Sequence, residues 1–173
     1  SHTFNISTTT AIVVAGAGIP VAKHGNRSVS SQSGSADVLE ALGVKIDLSP
    51  EKVEKCLFET GFGFLFAPLF HPAMKYAIGP RREMGIRTIF NILGPVTNPA
   101  NAKRQILGVF ADKLTGILAM VLGNLGAVDA MVVHGEDGLD EISISNRTRV
   151  SRFKGGKAQN FYIEPEDFSI RRN

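Results

Sequence analysis

The sequence predicts an α/β fold, a predominantly parallel sheet flanked by helices, and three stretches carry that prediction. Gln105-Ile106-Leu107-Gly108-Val109-Phe110 and Asp129-Ala130-Met131-Val132-Val133-His134 are apolar runs of strand length, separated by a stretch with apolar residues at helical spacing. Two strands joined through one helix make a right-handed βαβ unit, and such units build parallel sheets. Ile19-Pro20-Val21-Ala22 runs through a polar, glycine-bearing segment into a helix signal over 36–42. Residues 62–70 are apolar almost throughout, the pattern of a strand buried on both faces or of a strand passing into a loop.

Each element has a local reason. Ser7 is the expected N-cap of a helix that stops at Gly16 or Gly18, although the β-branched residues between them also suit a strand. The stretch 23–35 reads as a loop, and Gly43 closes the helix that follows it. Ser49 as N-cap, Pro50 at the first helical position and Glu51 in the first turn start a helix that ends near Gly61. Gly79-Pro80 predicts short helical pieces broken between His71 and Gly85, and Gly94-Pro95-Val96-Thr97-Asn98-Pro99 reads as a turn. Asp112 is the expected cap of a helix over 113–122, and Gly155-Gly156 is the expected turn of a closing hairpin.

Composition narrows the function. Apolar residues make up 43% of the 173 and charged residues 20%, which suits a soluble globular chain. No stretch has the length of a membrane span and no signal peptide is visible. The net charge of +3 fits an anionic small substrate and is too weak to argue for nucleic acid. The single cysteine, Cys56, excludes an internal disulfide framework and suits a reducing, cytoplasmic compartment.

The chemistry-bearing residues cluster. Lys23, His24, Asn26, Arg27 and the serines up to Ser35 lie between a strand and a helix start, where unpaired backbone N–H groups and the helix dipole favour an anion. Asn5, Ser7 and Thr8 form a second hydroxyl-rich helix start. Two such starts can lie side by side at the carboxyl edge of a sheet, where open α/β sheets bind ligands. Glu136, Asp137, Asp140 and Glu141 follow a parallel strand in a glycine-bearing loop. That is either a solvated acidic turn or a Mg²⁺ site bridging to phosphates. Arg81 and Arg82 are either a carboxylate clamp or an exposed basic helix end. His134 reads as a hydrogen-bonded histidine at a strand end. No Walker loop, dinucleotide fingerprint, nucleophile elbow or zinc spacing is present. The features describe a site for a phosphorylated, metal-bridged small molecule.

Several long segments then resemble one family, in the family's order. They are Asn5-Ile6-Ser7-Thr8, Lys23-His24-Gly25-Asn26-Arg27, Ser33-Gly34-Ser35-Ala36-Asp37, Arg87-Thr88-Ile89-Phe90-Asn91-Ile92-Leu93-Gly94-Pro95 and Gly138-Leu139-Asp140-Glu141. All resemble the signatures of anthranilate phosphoribosyltransferases, and the match runs through nearly the whole chain. The resemblance implies a catalytic α/β domain of the nucleoside phosphorylase/phosphoribosyltransferase type. It implies transfer of the 5-phosphoribosyl group from phosphoribosyl pyrophosphate (PRPP) to the amine of anthranilate, in tryptophan biosynthesis.

Residue roles follow from the same resemblance. Asn5, Ser7 and Thr8 resemble the segment that holds PRPP phosphates, with Ser7 also near a metal ion. Lys23 resembles the phosphate-binding lysine, and His24 and Asn26 the residues where ribose and anthranilate meet. Ser35 starts a helix near the diphosphate. Arg81 resembles the arginine that engages the anthranilate carboxylate, and Pro95 lies along its ring. Asp140 and Glu141 resemble the pair that holds two Mg²⁺ ions. No covalent catalytic residue is implied.

The family also carries a glycine-rich PRPP loop and a helical domain before the first of these segments, and closing helices after the last. Residues 1–173 are therefore expected to be a single catalytic domain cut at both ends, weak or inactive alone, with the family homodimer doubtful without its helical domain. Two other readings stay open: a same-fold relative that handles nucleosides, nucleotides or nucleic acid, and an inactive fragment. Arg81 argues against the first, because an anthranilate carboxylate needs such a partner.

Overall fold

The first helix, α1 (Ile6–Gly16), is capped by Asn5 and not by Ser7. Asn5 Oδ1 accepts from the Thr8 backbone N–H at 3.2 Å and from the Thr8 hydroxyl at 2.6 Å. An asparagine caps as well as a serine, and the buried Thr8 hydroxyl gains a partner from it. Ser7 is thereby carried into the first turn, exposed. The computed structural model describes residues 4–28, 33–84 and 89–172, without the side chains at 78, 80–82, 84, 90 and 91. Val29, Ser30, Ser31 and Gln32, the segment 85–88 and the Arg81 and Arg82 side chains lie outside the described residues.

The chain forms two compact units, Ser1–Ala100 and Asn101–Asn173. In the first, β1 (Val21–Gly25) runs parallel to β2 (Phe62–Phe66), with Lys23 opposite Phe64 and His24 opposite Leu65. Lys23, His24 and Gly25 are thus strand and not loop. The buried stretch of β2 needs backbone partners along its length, and pairing extends β1 past its apolar part to supply them. Helix α2 (Ser35–Ala41) packs Ala36 and Leu39 with Ile46 and Phe64 into a core flanked by Phe62 and Phe66. Helix α3 (Pro50–Thr60) has its proline in the first turn and ends at Gly61, whose φ of 75° is open to glycine without strain.

After β2 come α4 (Ala67–Phe70), a 3₁₀ turn (Pro72–Met74) and α5 (Lys75–Met84). Helix α5 runs unbroken through Gly79-Pro80, against expectation. A proline removes one helical donor, and the turns on either side can carry the helix past it. Helix α6 (Phe90–Val96) likewise contains Pro95, so the expected turn begins only at Thr97.

The second unit holds the expected βαβ pattern. Strand β3 (Arg104–Gly108) leads through α7 (Leu114–Asn124) to a parallel β4 (Asp129–Gly135). Strands β5 (Thr148–Lys154) and β6 (Lys157–Ile163) add an antiparallel hairpin about Gly155-Gly156, giving the order β3-β4-β5-β6. Val132, Val133 and Val150 are buried in the sheet, and Leu118, Ala119 and Leu122 are buried on α7. The architecture is α/β, as expected. Asp112 does not cap α7 through its side chain; its Oδ1 lies 2.9 Å from Arg149 Nε, where an ion pair outcompetes a cap. No helix among the described residues is long and apolar enough to cross a membrane.

An ion pair ties β4 to β5. Arg152 Nε and Nη2 donate to the two oxygens of Asp129 at 2.8 and 2.6 Å. These bonds hold the Asp129 carboxyl at about 2, below its usual 3.8. A depressed carboxyl pKa adds stability that is fully present well above 3.8 and is lost as the pH falls through about 2. Asp129→Asn is therefore expected to lower the melting temperature at neutral pH, with the gap to wild type closing as acid is added. A gap that stays constant across that titration would show that the carboxylate charge contributes nothing.

Candidate functional site

Lys23 on β1 reaches the start of α1. Lys23 Nζ donates to Ser7 Oγ at 3.1 Å. The strand supplies the ammonium of the half-buried Lys23 and the helix supplies its positive end with an exposed hydroxyl. Both favour an anion, and they face the same point.

The loop beyond β1 is held by its own backbone. Asn26 O accepts from the Ala36 N–H at 3.2 Å and from Ser35 Oγ at 3.4 Å, which sets the first turn of α2 against the strand end. Asn26 Oδ1 accepts from the Arg27 N–H at 2.8 Å. A Cβ on Gly34 would come within 2.5 Å of Ser28 N and 2.6 Å of Asn26 O, so only glycine lets the loop cross itself there. Asp37 accepts from the N–H groups of Gly34 at 2.7 Å and Ser28 at 3.0 Å. These two bonds, followed by Arg27, hold its carboxyl below the usual range.

Arg27 is held by side chains of α2. Its guanidinium makes a two-pronged bond to Glu40 at 2.7 and 3.0 Å and reaches Asp37 at 3.1 Å. It fastens the loop to α2. Lys23 is the lysine or arginine of this stretch that points to the α1 terminus.

His24 stands beside His71, their ring centroids 5.0 Å apart and their planes at 68°. Burial, then the neighbouring His71, lower the His24 pKa, and a hydrogen bond to the Gly94 backbone opposes them. His24 is therefore a neutral imidazole at neutral pH. Asn98 Nδ2 donates to Ala22 O at 3.0 Å and straps the chain just after α6 to β1.

The acidic loop follows β4 in the second unit. Arg147 pairs with Glu136, and Asp137 accepts from the Ser143 hydroxyl and from the Leu139 N–H at 3.2 Å. Asp140 is exposed and Glu141 half-buried. Their oxygens are the hard donors Mg²⁺ takes, so the donor set fits that ion. Among the described residues no group of three or more histidine, cysteine or acidic side chains is gathered as a ready metal cage. Gly108 on β3 approaches the Asp140 carbonyl so closely that a Cβ there would overlap it. His134 Nδ1 lies 2.8 Å from Val109 O, the strand-end role expected of it.

The first unit thus brings Lys23 to Ser7 in the helix start that Asn5 and Thr8 share, and Ser35 to Asn26 just past the strand end, with Gly94 against His24. Pro95 sits in α6 beside Gly94. The Arg81 side chain lies outside the described residues. Asp140 and Glu141 belong to the second unit. Sequence reasoning missed His71 and Asn98. A histidine directly after the long apolar run 62–70 was the available signal for His71; nothing local marks Asn98.

The model of the glycosyl transferase family, a/b domain, matches residues 1–173. An anthranilate phosphoribosyltransferase of Desulfosudis oleivorans is 67% identical over 168 residues, covering 97% of this chain and 50% of that relative. The crystal structure of the anthranilate phosphoribosyltransferase of Thermus thermophilus superposes with a TM-score of 0.90 at 48% identity, over 98% of this chain and 50% of that one. The Saccharomyces cerevisiae enzyme in complex with PRPP and Mg matches with a TM-score of 0.89 at 33% identity, over 100% of this chain and 48% of that one. The chain spans about half the length of the curated relatives it matches.

Proposed function

This chain belongs to the glycosyl transferase family, as its a/b domain, and from that premise we propose that the whole protein transfers the 5-phosphoribosyl group of PRPP to the amine of anthranilate. One contact carries the reading: Lys23 Nζ at 3.1 Å from Ser7 Oγ, a cation held at a helix start where a diphosphate would bind.

In the reaction the C1–O bond to pyrophosphate breaks, the C1–N bond to anthranilate forms, and the nitrogen loses a proton. Negative charge grows on the leaving group, and Lys23 with the α1 N-terminus stabilises it. Positive charge grows on C1, beside which a neutral His24 is better tolerated than an imidazolium. The aniline nitrogen is already a neutral nucleophile, so orientation contributes more than a base. Asn5, Ser7 and Thr8 belong to the phosphate segment, where Thr8 acts by holding Asn5. Asn26 and Ser35 line the ribose and diphosphate side, Arg81 takes the anthranilate carboxylate and Pro95 lies along the ring. Asp140 and Glu141 of the second unit, and Ser7 of the first, are each candidate Mg²⁺ ligands on this reading. Bound Mg²⁺ neutralises charge on the departing diphosphate. On this reading residues 1–173 act as one catalytic domain in the cytoplasm, where a lone cysteine stays reduced.

The test is loss of anthranilate fluorescence with the full-length protein, dependent on PRPP and Mg²⁺. Turnover supports the assignment; a folded protein that consumes neither substrate refutes it. In the same protein Asp140→Asn with Glu141→Gln is expected to abolish the Mg²⁺ dependence of PRPP binding by calorimetry. An unchanged Mg²⁺ titration would remove both residues from the site.

A further inference from the structure

The proposed reaction leaves one feature of the first unit unused. His24 Nε2 and His71 Nε2 are both buried and have no hydrogen-bond partner among the described residues. Buried nitrogens without partners are rare, because each has given up water for nothing. The Gly94 backbone acts on His24 to raise its pKa, and a proton on Nδ1 turned toward it would leave the Nε2 lone pair bare. A ring that donates one N–H to a backbone carbonyl and offers the other nitrogen is the usual state of a metal-ligating histidine.

The spacing agrees. Metal–nitrogen bonds are about 2.0–2.1 Å, and the ring centroid lies roughly 1.2 Å beyond the nitrogen, so two imidazoles on one tetrahedral ion have centroids about 5 Å apart. The observed separation is 5.0 Å, with the rings turned 68° to each other.

We propose that His24 and His71 form a two-nitrogen site for a borderline transition-metal ion such as Zn²⁺ or Co²⁺, separate from the carboxylates that suit Mg²⁺. Imidazole prefers these ions, whereas Mg²⁺ takes oxygen and dehydrates reluctantly. Water completes the shell, since no third histidine, cysteine or carboxylate joins the pair among the described residues. Two protein ligands make an exchangeable ion and not a structural one. Its consequence is inhibition, because the ion occupies the space where His24 meets the substrates. The inhibition rests on the transferase reading; the binding does not.

Long-range ¹H–¹⁵N spectra of the full-length protein, titrated with Zn²⁺ under excess Mg²⁺, test the binding without any variant. The ring nitrogens of His24 and His71 are expected to shift together and saturate at one equivalent. His134, whose Nδ1 is tied to Val109 O, is expected to stay put. Shifts confined to other histidines, or no shift at either ring, overturn the proposal. By Co²⁺ absorption, His71→Gln and His24→Gln are each expected to weaken the site by about tenfold or more; unchanged affinity in both refutes it. Zn²⁺ inhibition of turnover that His71→Gln relieves supports the functional consequence. Zn²⁺ bound at both rings of a protein with no transferase activity would sink the transferase reading and leave this site standing.

Discussion

Lys23→Met in the full-length protein is expected to lower kcat/KM for PRPP by about a hundred- to a thousand-fold, the usual effect of removing one donor aimed at developing charge. Methionine keeps the apolar stem and removes only the ammonium, so packing on β1 is preserved. Lys23 is half-buried with Nζ 3.1 Å from Ser7 Oγ, and the strand backbone holds it whether or not substrate is present. On the proposed transfer, such a preorganised charge would act without reorganising as pyrophosphate leaves. Most of the loss should fall on kcat if the ammonium acts mainly on the departing diphosphate, and on KM if it binds ground state and transition state alike. Steady-state kinetics at saturating Mg²⁺ separate the two. A variant within about tenfold of wild type would take Lys23 out of the reaction, since even a uniform charge-assisted contact to phosphate exceeds that.

The parts of this site that were legible in the sequence are those set by local chemistry. Pro50 in a first turn, Gly155-Gly156 between two alternating runs, and the β3-α7-β4 pattern all formed as their residues require. His134 took a backbone carbonyl at its strand end. The misreadings are places where a distant partner decided the outcome. Lys23, His24 and Gly25 look polar enough for a loop, but β2 lends them a ladder. Ser7 is a good cap, yet Asn5 wins because Thr8 is buried and needs its oxygen. Arg27 reads as a phosphate cation until Glu40 and Asp37, one face of the next helix, are seen to hold it. His71 carries no motif of its own and acquires meaning only when the chain after β2 brings it beside His24.

The acidic loop is governed by a contact that no motif records, and this gives the second large effect. Gly108→Ala is expected to destabilise the second unit by about 2–3 kcal/mol and to weaken the Mg²⁺ dependence of PRPP binding with it. Gly108 closes β3 opposite Val133, and the space a Cβ would fill holds the Asp140 carbonyl. The obstacle is backbone, so no side chain can swing aside; either the strand end or the loop must move. The loop is the softer of the two, because Gly108 is paired to β4 while Asp140 is exposed. Gly138→Ala separates displacement from simple backbone strain. Gly138 has φ 88° with nothing near its missing Cβ, so alanine there meets strain of about 1 kcal/mol but no clash with Asp140. Thermal unfolding should rank Gly108→Ala below Gly138→Ala, and Mg²⁺ titration should shift far more in the former. If both variants move the Mg²⁺ midpoint equally, the approach of Gly108 is not what positions Asp140, and the proposed Mg²⁺ ligands are set by the turn alone.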